Sequence, residues 1–154
     1  MLNVSLLVGP GVYAGDWRQV LGNQRNGQAA EGEALPDSIP GPGPKTVWSK
    51  SIGAGYAGPA VAGENVYLFH RVGEQEVVSC YKSGDGSVVW EAKLPATYEG
   101  GIDPDIGPRC VPTVDGNDVI VYGAAGQLSC IDRTNGKTLW TLPLRKQLKA
   151  DDGY

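Results

Sequence analysis

Short apolar runs alternate with glycine, asparagine and aspartate along most of the chain. Val66-Tyr67-Leu68-Phe69 is followed by Val77-Val78-Ser79-Cys80-Tyr81 and then by Val88-Val89-Trp90. Later come Val119-Ile120-Val121-Tyr122, Leu128-Ser129-Cys130-Ile131 and Thr138-Leu139-Trp140. Runs this short, rich in β-branched and aromatic residues and bounded by turn formers, predict strands rather than helices. The expected strands cover 59–62, 65–70, 75–82 and 87–93 in a first group, and 110–114, 118–122, 127–132 and 137–142 in a second. Ala62-Gly63-Glu64-Asn65, Ser83-Gly84-Asp85-Gly86, Asp115-Gly116-Asn117-Asp118 and Arg133-Thr134-Asn135-Gly136 separate them. Glycine and asparagine in these segments tolerate the positive φ that tight hairpins require.

The two groups are copies of one another. Residues 77–90 align with 127–140 at an offset of fifty and without a gap, through matching Ser, Cys, Gly and Trp. Pro59 to Val66 matches Pro112 to Val119 at an offset of fifty-three. The difference falls in 71–76, where the first copy is expected to have a longer turn. Four antiparallel strands recurring at about 40 to 50 residues is the period of a propeller blade. One blade cannot bury both of its faces, and stacking blades in a ring solves that. The expected fold is therefore all-β: a partial β-propeller of about two four-stranded antiparallel blades plus one extra strand, a fragment of a larger ring. The extra strand is 45–52, because Pro44 to Ile52 resembles the fourth strand alone. It would complete a blade whose inner strands come from the far end of an intact chain. The remaining divisions are an extended arm over 15–44, blades over 58–93 and 110–142, and the start of a next loop over 145–154.

Composition agrees with frequent turning. Among 154 residues there are 23 Gly and 11 Pro, 19% are charged, and 41% are hydrophobic, enough for a core. The net charge of −4 and the scattered Lys and Arg exclude a nucleic-acid partner as the expectation. Cys80, Cys110 and Cys130 show no metal-ligand spacing and are read as small strand residues, leaving the redox compartment open. His70, the only histidine, ends a strand pattern without a partner His or Cys nearby in sequence, so it is read as a hydrogen-bonded edge residue and no metal site is expected. No GxSxG, HExxH or phosphate-loop pattern occurs. Leu2 to Val8 followed by Val12-Tyr13-Ala14 reads either as the tail of a secretory signal over 1–14 or as an arbitrary apolar terminus. The former implies an exported protein, periplasmic or in the cell envelope. No run reaches the ~20 apolar residues that span a bilayer, so a transmembrane chain is not expected.

The segment Cys130-Ile131-Asp132-Arg133-Thr134-Asn135-Gly136-Lys137-Thr138-Leu139-Trp140 resembles the tryptophan-docking motif of quinoprotein-like (PQQ-like repeat) propellers, A-x-D-x-x-T-G-K-x-x-W. Asp132, Gly136, Lys137 and Trp140 match it, while the first copy keeps only Gly86 and Trp90. Gly15-Asp16-Trp17 through Gly27 is similar to the opening of exported bacterial propellers of the outer-membrane assembly (BamB-like) class. The resemblance implies that Trp48, Trp90 and Trp140, with Asp132 and Gly136, dock neighbouring blades, and that Trp17 anchors the arm on the ring.

In such rings the loops joining one blade to the next collect at a channel mouth. Here these are 51–58 and 95–109, which carry Tyr56, Tyr98, Glu99, Asp103, Asp105 and Arg109. Tyr56, Tyr98, Asp103, Asp105 and Arg109 are the candidate ligand-binding residues, for an anionic or hydroxylated ligand or a Ca²⁺ held by Asp oxygens. The alternative is a solvated loop in which Arg109 pairs with Asp103 or Asp105. No catalytic residue is identified. The expected function is a non-catalytic ligand- or protein-binding scaffold of the bacterial cell envelope, with no cofactor. Its partners would be a protein or small polar ligand at the mouth and the remaining blades of its own ring. The alternative is part of a pyrroloquinoline-quinone (PQQ) dependent dehydrogenase with Ca²⁺, in which the resemblance implies an adjacent-cysteine disulfide and an Asp/Glu/Asn calcium set. Cys110 has no neighbouring cysteine, and no such set is recognisable. A free-standing half-propeller that oligomerises is a third reading.

Overall fold

The computed structural model describes residues 15–33, 38, 41, 43, 45–101 and 104–150. The proposed signal remnant, most of the proline-rich stretch 34–44, and Asp103 lie outside them. Within the described residues two four-stranded antiparallel meanders form. Blade 1 consists of β1 (Ala60–Ala62), β2 (Asn65–Val72), β3 (Gln75–Lys82) and β4 (Val88–Pro95). Blade 2 consists of β5 (Thr113–Asp115), β6 (Asp118–Tyr122), β7 (Leu128–Asp132) and β8 (Thr138–Leu142), followed by a helical turn, α1 (Leu144–Leu148). This is the architecture of a partial propeller.

The offset between the copies has a different origin from the one expected. Blade 1 does not have a longer turn over 71–76. Val72 pairs directly with Gln75, so β2 and β3 run on to a two-residue hairpin at Gly73-Glu74. In blade 2 the pairing stops at Tyr122 and Leu128, leaving five residues in the connection. The alternation of Val72 and Gln75 around a turn glycine extends the ladder, whereas Gly123-Ala124-Ala125-Gly126 has neither β-branching nor bulk to do so.

Both copies carry a bulge at the same place. Trp90 pairs with Cys80 while Val88 pairs with Tyr81, and Trp140 pairs with Cys130 while Thr138 pairs with Ile131. One extra residue, Val89 or Leu139, bends each outer strand just before its tryptophan and re-aims that side chain.

A continuous core lies between the blades. Tyr67, Phe69, Val78, Cys80, Trp90 and Ala92 of blade 1 pack with Val114, Val119, Val121 and Ile131 of blade 2. The opposite face of blade 1, Val66, Leu68 and Tyr81, is covered by Trp48 and Ile52. Segment 45–52 is thus an apolar strap on blade 1 and joins neither sheet.

The tryptophans repeat one geometry. Trp48 Nε1 donates to Ser83 O at 2.7 Å, and Trp90 Nε1 donates to Arg133 O at 2.9 Å. Under each indole lies a turn glycine, Gly86 (φ 70°) or Gly136 (φ 76°). A Cβ on either would stand 2.7 Å from ring carbons of Trp48 or Trp90. Trp140 remains 41% exposed, as does most of β8 around it. Asp132 shapes the receiving turn of blade 2 by accepting from Thr134 N, Thr134 Oγ1 and Asn135 Nδ2. These bonds, the Thr134 hydroxyl first, hold its carboxyl below the usual range.

The arm reaches the inner strands. Trp17 and Val61 exchange backbone hydrogen bonds of 2.8 and 2.9 Å, and Val114 N donates to Arg18 O at 2.8 Å. Two consecutive residues, Trp17 and Arg18, thereby touch both blades.

Candidate functional site

The interblade loops are held together by backbone contacts that the side chains cannot supply alone. Ala54 pairs with Arg71 at the end of β2, and Tyr56 N donates to Pro108 O at 3.0 Å. Segments 53–56 and 105–109 therefore run against each other. A Cβ on Gly107 would lie 2.2 Å from Ala54 O, so only glycine permits the approach. Asp105 locks it from the side: Oδ1 accepts from Gly107 N at 2.7 Å and Oδ2 from Gly55 N at 3.2 Å. Arg71 adds a cross-tie, with Nη1 donating to the carbonyls of Tyr98 and Ile106.

Of the residues expected at the mouth, Tyr56, Tyr98, Asp105 and Arg109 are brought together, and Asp103 lies outside the described residues. The Arg109 guanidinium carbon sits 5.7 Å from the Tyr56 ring centroid and 5.8 Å from that of Tyr98. It is thus in cation–π reach of both rings. Its Nη1 and Nη2 donate to Gly107 O at 2.7 Å and Asp105 O at 2.9 Å. Arg109 binds the backbone of Asp105, while the Asp105 carboxylate serves the two glycine amides. Arg109 is consequently fixed in place, and Tyr56 stands 63% exposed beside it.

Behind the mouth lies a polar relay, buried at His70 and Ser79, that the chain pattern does not reveal. His70 Nδ1 accepts from Gly53 N at 2.9 Å, which places the ring proton on Nε2, 3.0 Å from Ser79 Oγ. Ser79 Oγ in turn donates to Glu91 Oε1 at 3.4 Å. Burial lowers the His70 pKa, against a smaller opposing influence of Glu91. A nucleophile–base pair needs a lone pair on the nitrogen facing the hydroxyl, and Nε2 carries the proton here. Ser79 is also fully buried. The relay positions Gly53 at the start of the mouth loop. Only the spacing of His70 and Ser79 across a predicted hairpin could have signalled it.

A second unforeseen residue is Glu76, only 4% exposed, whose Oε1 accepts from Ala124 N of blade 2 at 2.7 Å. Burial raises its pKa, and the Ala124 amide and nearby Arg71 partly offset that. Arg133 makes a reciprocal tie, donating from Nε to Tyr67 Oη at 2.9 Å and from Nη2 to Ala62 O at 3.3 Å.

With two like sheets, a shared core and tryptophans seated on neighbouring turns, the sequence can be set against known proteins. The family described as outer membrane protein assembly factor BamB matches residues 41–151. The chain belongs to that family. No curated protein matches it. Among solved structures, the quinohemoprotein alcohol dehydrogenase from Comamonas testosteroni aligns over 90% of this chain and 21% of its own, at 16% identity and a TM-score of 0.55. A europium-containing methanol dehydrogenase aligns over 85% of this chain and 23% of its own, at 14% identity and a TM-score of 0.53. BamB from Moraxella catarrhalis aligns over 58% and 23%, at 19% identity and a TM-score of 0.41. The chain thus spans less than a quarter of each of these proteins, and the two dehydrogenases share its fold.

No three His, Cys, Asp or Glu side chains among the described residues converge on a common point. Cys80, Cys110 and Cys130 are free thiols. No helix among the described residues is long and apolar enough to cross a membrane.

Proposed function

We propose that this chain is part of a non-catalytic binding propeller of the bacterial cell envelope, and that its interblade mouth receives a protein partner. The observation that carries this reading is the stack of Tyr56, Arg109 and Tyr98, with Arg109 pinned by two backbone carbonyls and Tyr56 projecting to solvent. Tyr and Arg supply large, amphipathic contact area, and the energetic anchors of interfaces are enriched in them. Because the guanidinium is held before anything binds, little side-chain entropy is lost on docking. The name of the family, an outer membrane assembly factor, supports an envelope setting and an exported chain. A small polar ligand at the same mouth would use the same groups.

The test is a photo-crosslinking amino acid placed at position 56 of the full chain, with a second placed at Glu31 as a control. Incubation with a bacterial envelope fraction should give a discrete adduct from position 56 that Tyr98→Ala and Arg109→Gln each reduce several-fold. Equal labelling from both positions, or an adduct indifferent to both variants, would overturn the reading. Titration with pyrroloquinoline quinone and Ca²⁺, followed through quenching of the four tryptophans, separates the alternative. A saturable micromolar site would establish the dehydrogenase instead.

A further inference from the structure

The D-W-R stretch of the arm does more than anchor. After Arg18 the chain turns back on itself through hydrogen bonds from Gly22 N to Gln19 O, Arg25 N to Gly22 O and Gly27 N to Leu21 O. Leu21 (φ 62°) and Arg25 (φ 55°) both take left-handed conformations that side chains rarely adopt. This compact loop faces β5 across a cleft of about 530 Å³, lined by Arg18, Gln19, Asn23, Arg25, Thr113 and Asp115. The cleft lies toward the far ends of β1 and β5 from the mouth. Asp16 Oδ1 accepts from Gly63 N in the β1–β2 turn, whereas the mouth loops enter β1 and β5 at their starts.

The charges on its walls are unequal in kind. Arg18 is spent, donating from Nε and Nη2 to the same Asp16 oxygen at 2.8 and 2.6 Å. Arg25 uses only Nε, which donates to Gln19 Oε1 at 2.8 Å, and its two terminal amino groups have no protein partner among the described residues. Asp115, on β5, enters no ion pair among them either. A cation and an anion thus line one cleft without bonding to each other. Asn23 and Thr113 add polar groups to its lining.

We propose that this cleft binds a small zwitterion of amino-acid to dipeptide size. Arg25 takes the carboxylate through its paired terminal N–H groups and Asp115 takes the ammonium. The guanidinium fork matches a carboxylate in plane, and the cleft volume falls in the range of small-molecule sites.

The experiment is calorimetric titration of the full chain with L-alanyl-L-alanine, its N-acetyl derivative and its C-terminal amide. The dipeptide should bind saturably in the millimolar range or tighter. Acetylation and amidation should each weaken binding about tenfold or more. Arg25→Gln should abolish discrimination against the amide, and Asp115→Asn discrimination against the acetyl form. Glu31→Gln should change neither. Both altered residues are exposed, so circular dichroism should show native spectra, and Arg25→Lys should keep part of the affinity through its charge. Absence of saturation, or binding that Arg25→Gln and Asp115→Asn leave unchanged, overturns the proposal.

Discussion

Glu76 of the first blade and Ala124 of the second are joined by a 2.7 Å hydrogen bond from amide to buried carboxylate. The contact crosses between blades at the mouth end, and a Cβ on the adjacent Gly123 would stand 2.2 Å from Glu76 Oε2. Arg71, directly opposite Glu76 on β2, is the nearest compensating charge. Burial raises the Glu76 pKa in the folded chain, so the folded state holds its proton more tightly than the unfolded state does. Its stabilising contribution is therefore complete below the ordinary Glu pKa and is lost as pH rises through the raised folded value. Glu76→Gln keeps an acceptor for Ala124 without burying charge. It should melt at or above the wild-type temperature at pH 7–8, with the difference shrinking towards pH 4. Glu76→Ala should lose roughly 1–3 kcal/mol by orphaning the amide. Paired thermal melts across pH measure both. A Gln variant that is less stable than wild type at neutral pH would show that the ionised carboxylate is net favourable.

The indole-over-glycine contacts predict a matched pair of defects. Gly136→Ala places a methyl against Trp90 and also requires a left-handed alanine, which alone costs roughly 1–2 kcal/mol. Trp90 belongs to the interblade core, so this variant should lower global stability in urea. Gly86→Ala meets Trp48 in the same way. The Trp48 strap covers only one outer face, so here the main effect should be a solvent-shifted Trp48 emission with a smaller loss of stability. Equal urea midpoints for the two variants would contradict this separation.

The strand pattern was readable because the chain marks both ends of each strand. Turn glycines bracket apolar runs, and the gapless alignment of 77–90 with 127–140 marks the two sheets as copies. β2 runs two residues beyond its apolar pattern, because backbone pairing continues through Arg71 to Val72 although a charged residue ends the apolar run. Tyr56, Tyr98 and Arg109 lie in the two interblade loops that the pattern marks, whereas the Asp105 and Gly107 carbonyls to which Arg109 donates are not marked by it. Carbonyl acceptors carry no signature in side-chain identity. Glu76 and the His70–Ser79–Glu91 relay escaped for a related reason. Their neighbours depend on cross-strand register and on blade-to-blade packing, neither of which periodicity encodes.

The thiols should be nearly inert in the native chain. Cys80 is fully buried in the interblade core, and burial pushes its pKa up to about 11. Cys110 and Cys130 are raised as well, again chiefly by burial. The thiolate is the reactive form, so disulfide-exchange reagents should label all three slowly at pH 8. In rising denaturant, Cys80 and Cys130 should become reactive together with the loss of β-structure. Fast labelling of Cys80 under native conditions would mean that the blades separate readily.

The single histidine offers a clean report on the mouth loop. Because Nδ1 accepts the Gly53 amide, the neutral ring should carry its proton on Nε2, visible in the two ring-nitrogen chemical shifts. Burial lowers the folded pKa below the ordinary value of about 6.5, so the unfolded chain binds a proton first as pH falls. The stability contributed by neutral His70 is therefore present above pH 6.5 and is lost as pH drops towards the folded pKa, opposite in sign to Glu76. His70→Gln should flatten the pH dependence of stability just below pH 6.5 while leaving the Glu76 contribution intact, so the double variant separates the two slopes. Protonation of His70 removes the acceptor for Gly53, and the amide resonances of Gly53, Ala54 and Tyr56 should shift with the same midpoint as the imidazole. If the ring titrates above 6.5, or if those amides stay still while it titrates, the relay does not hold the loop.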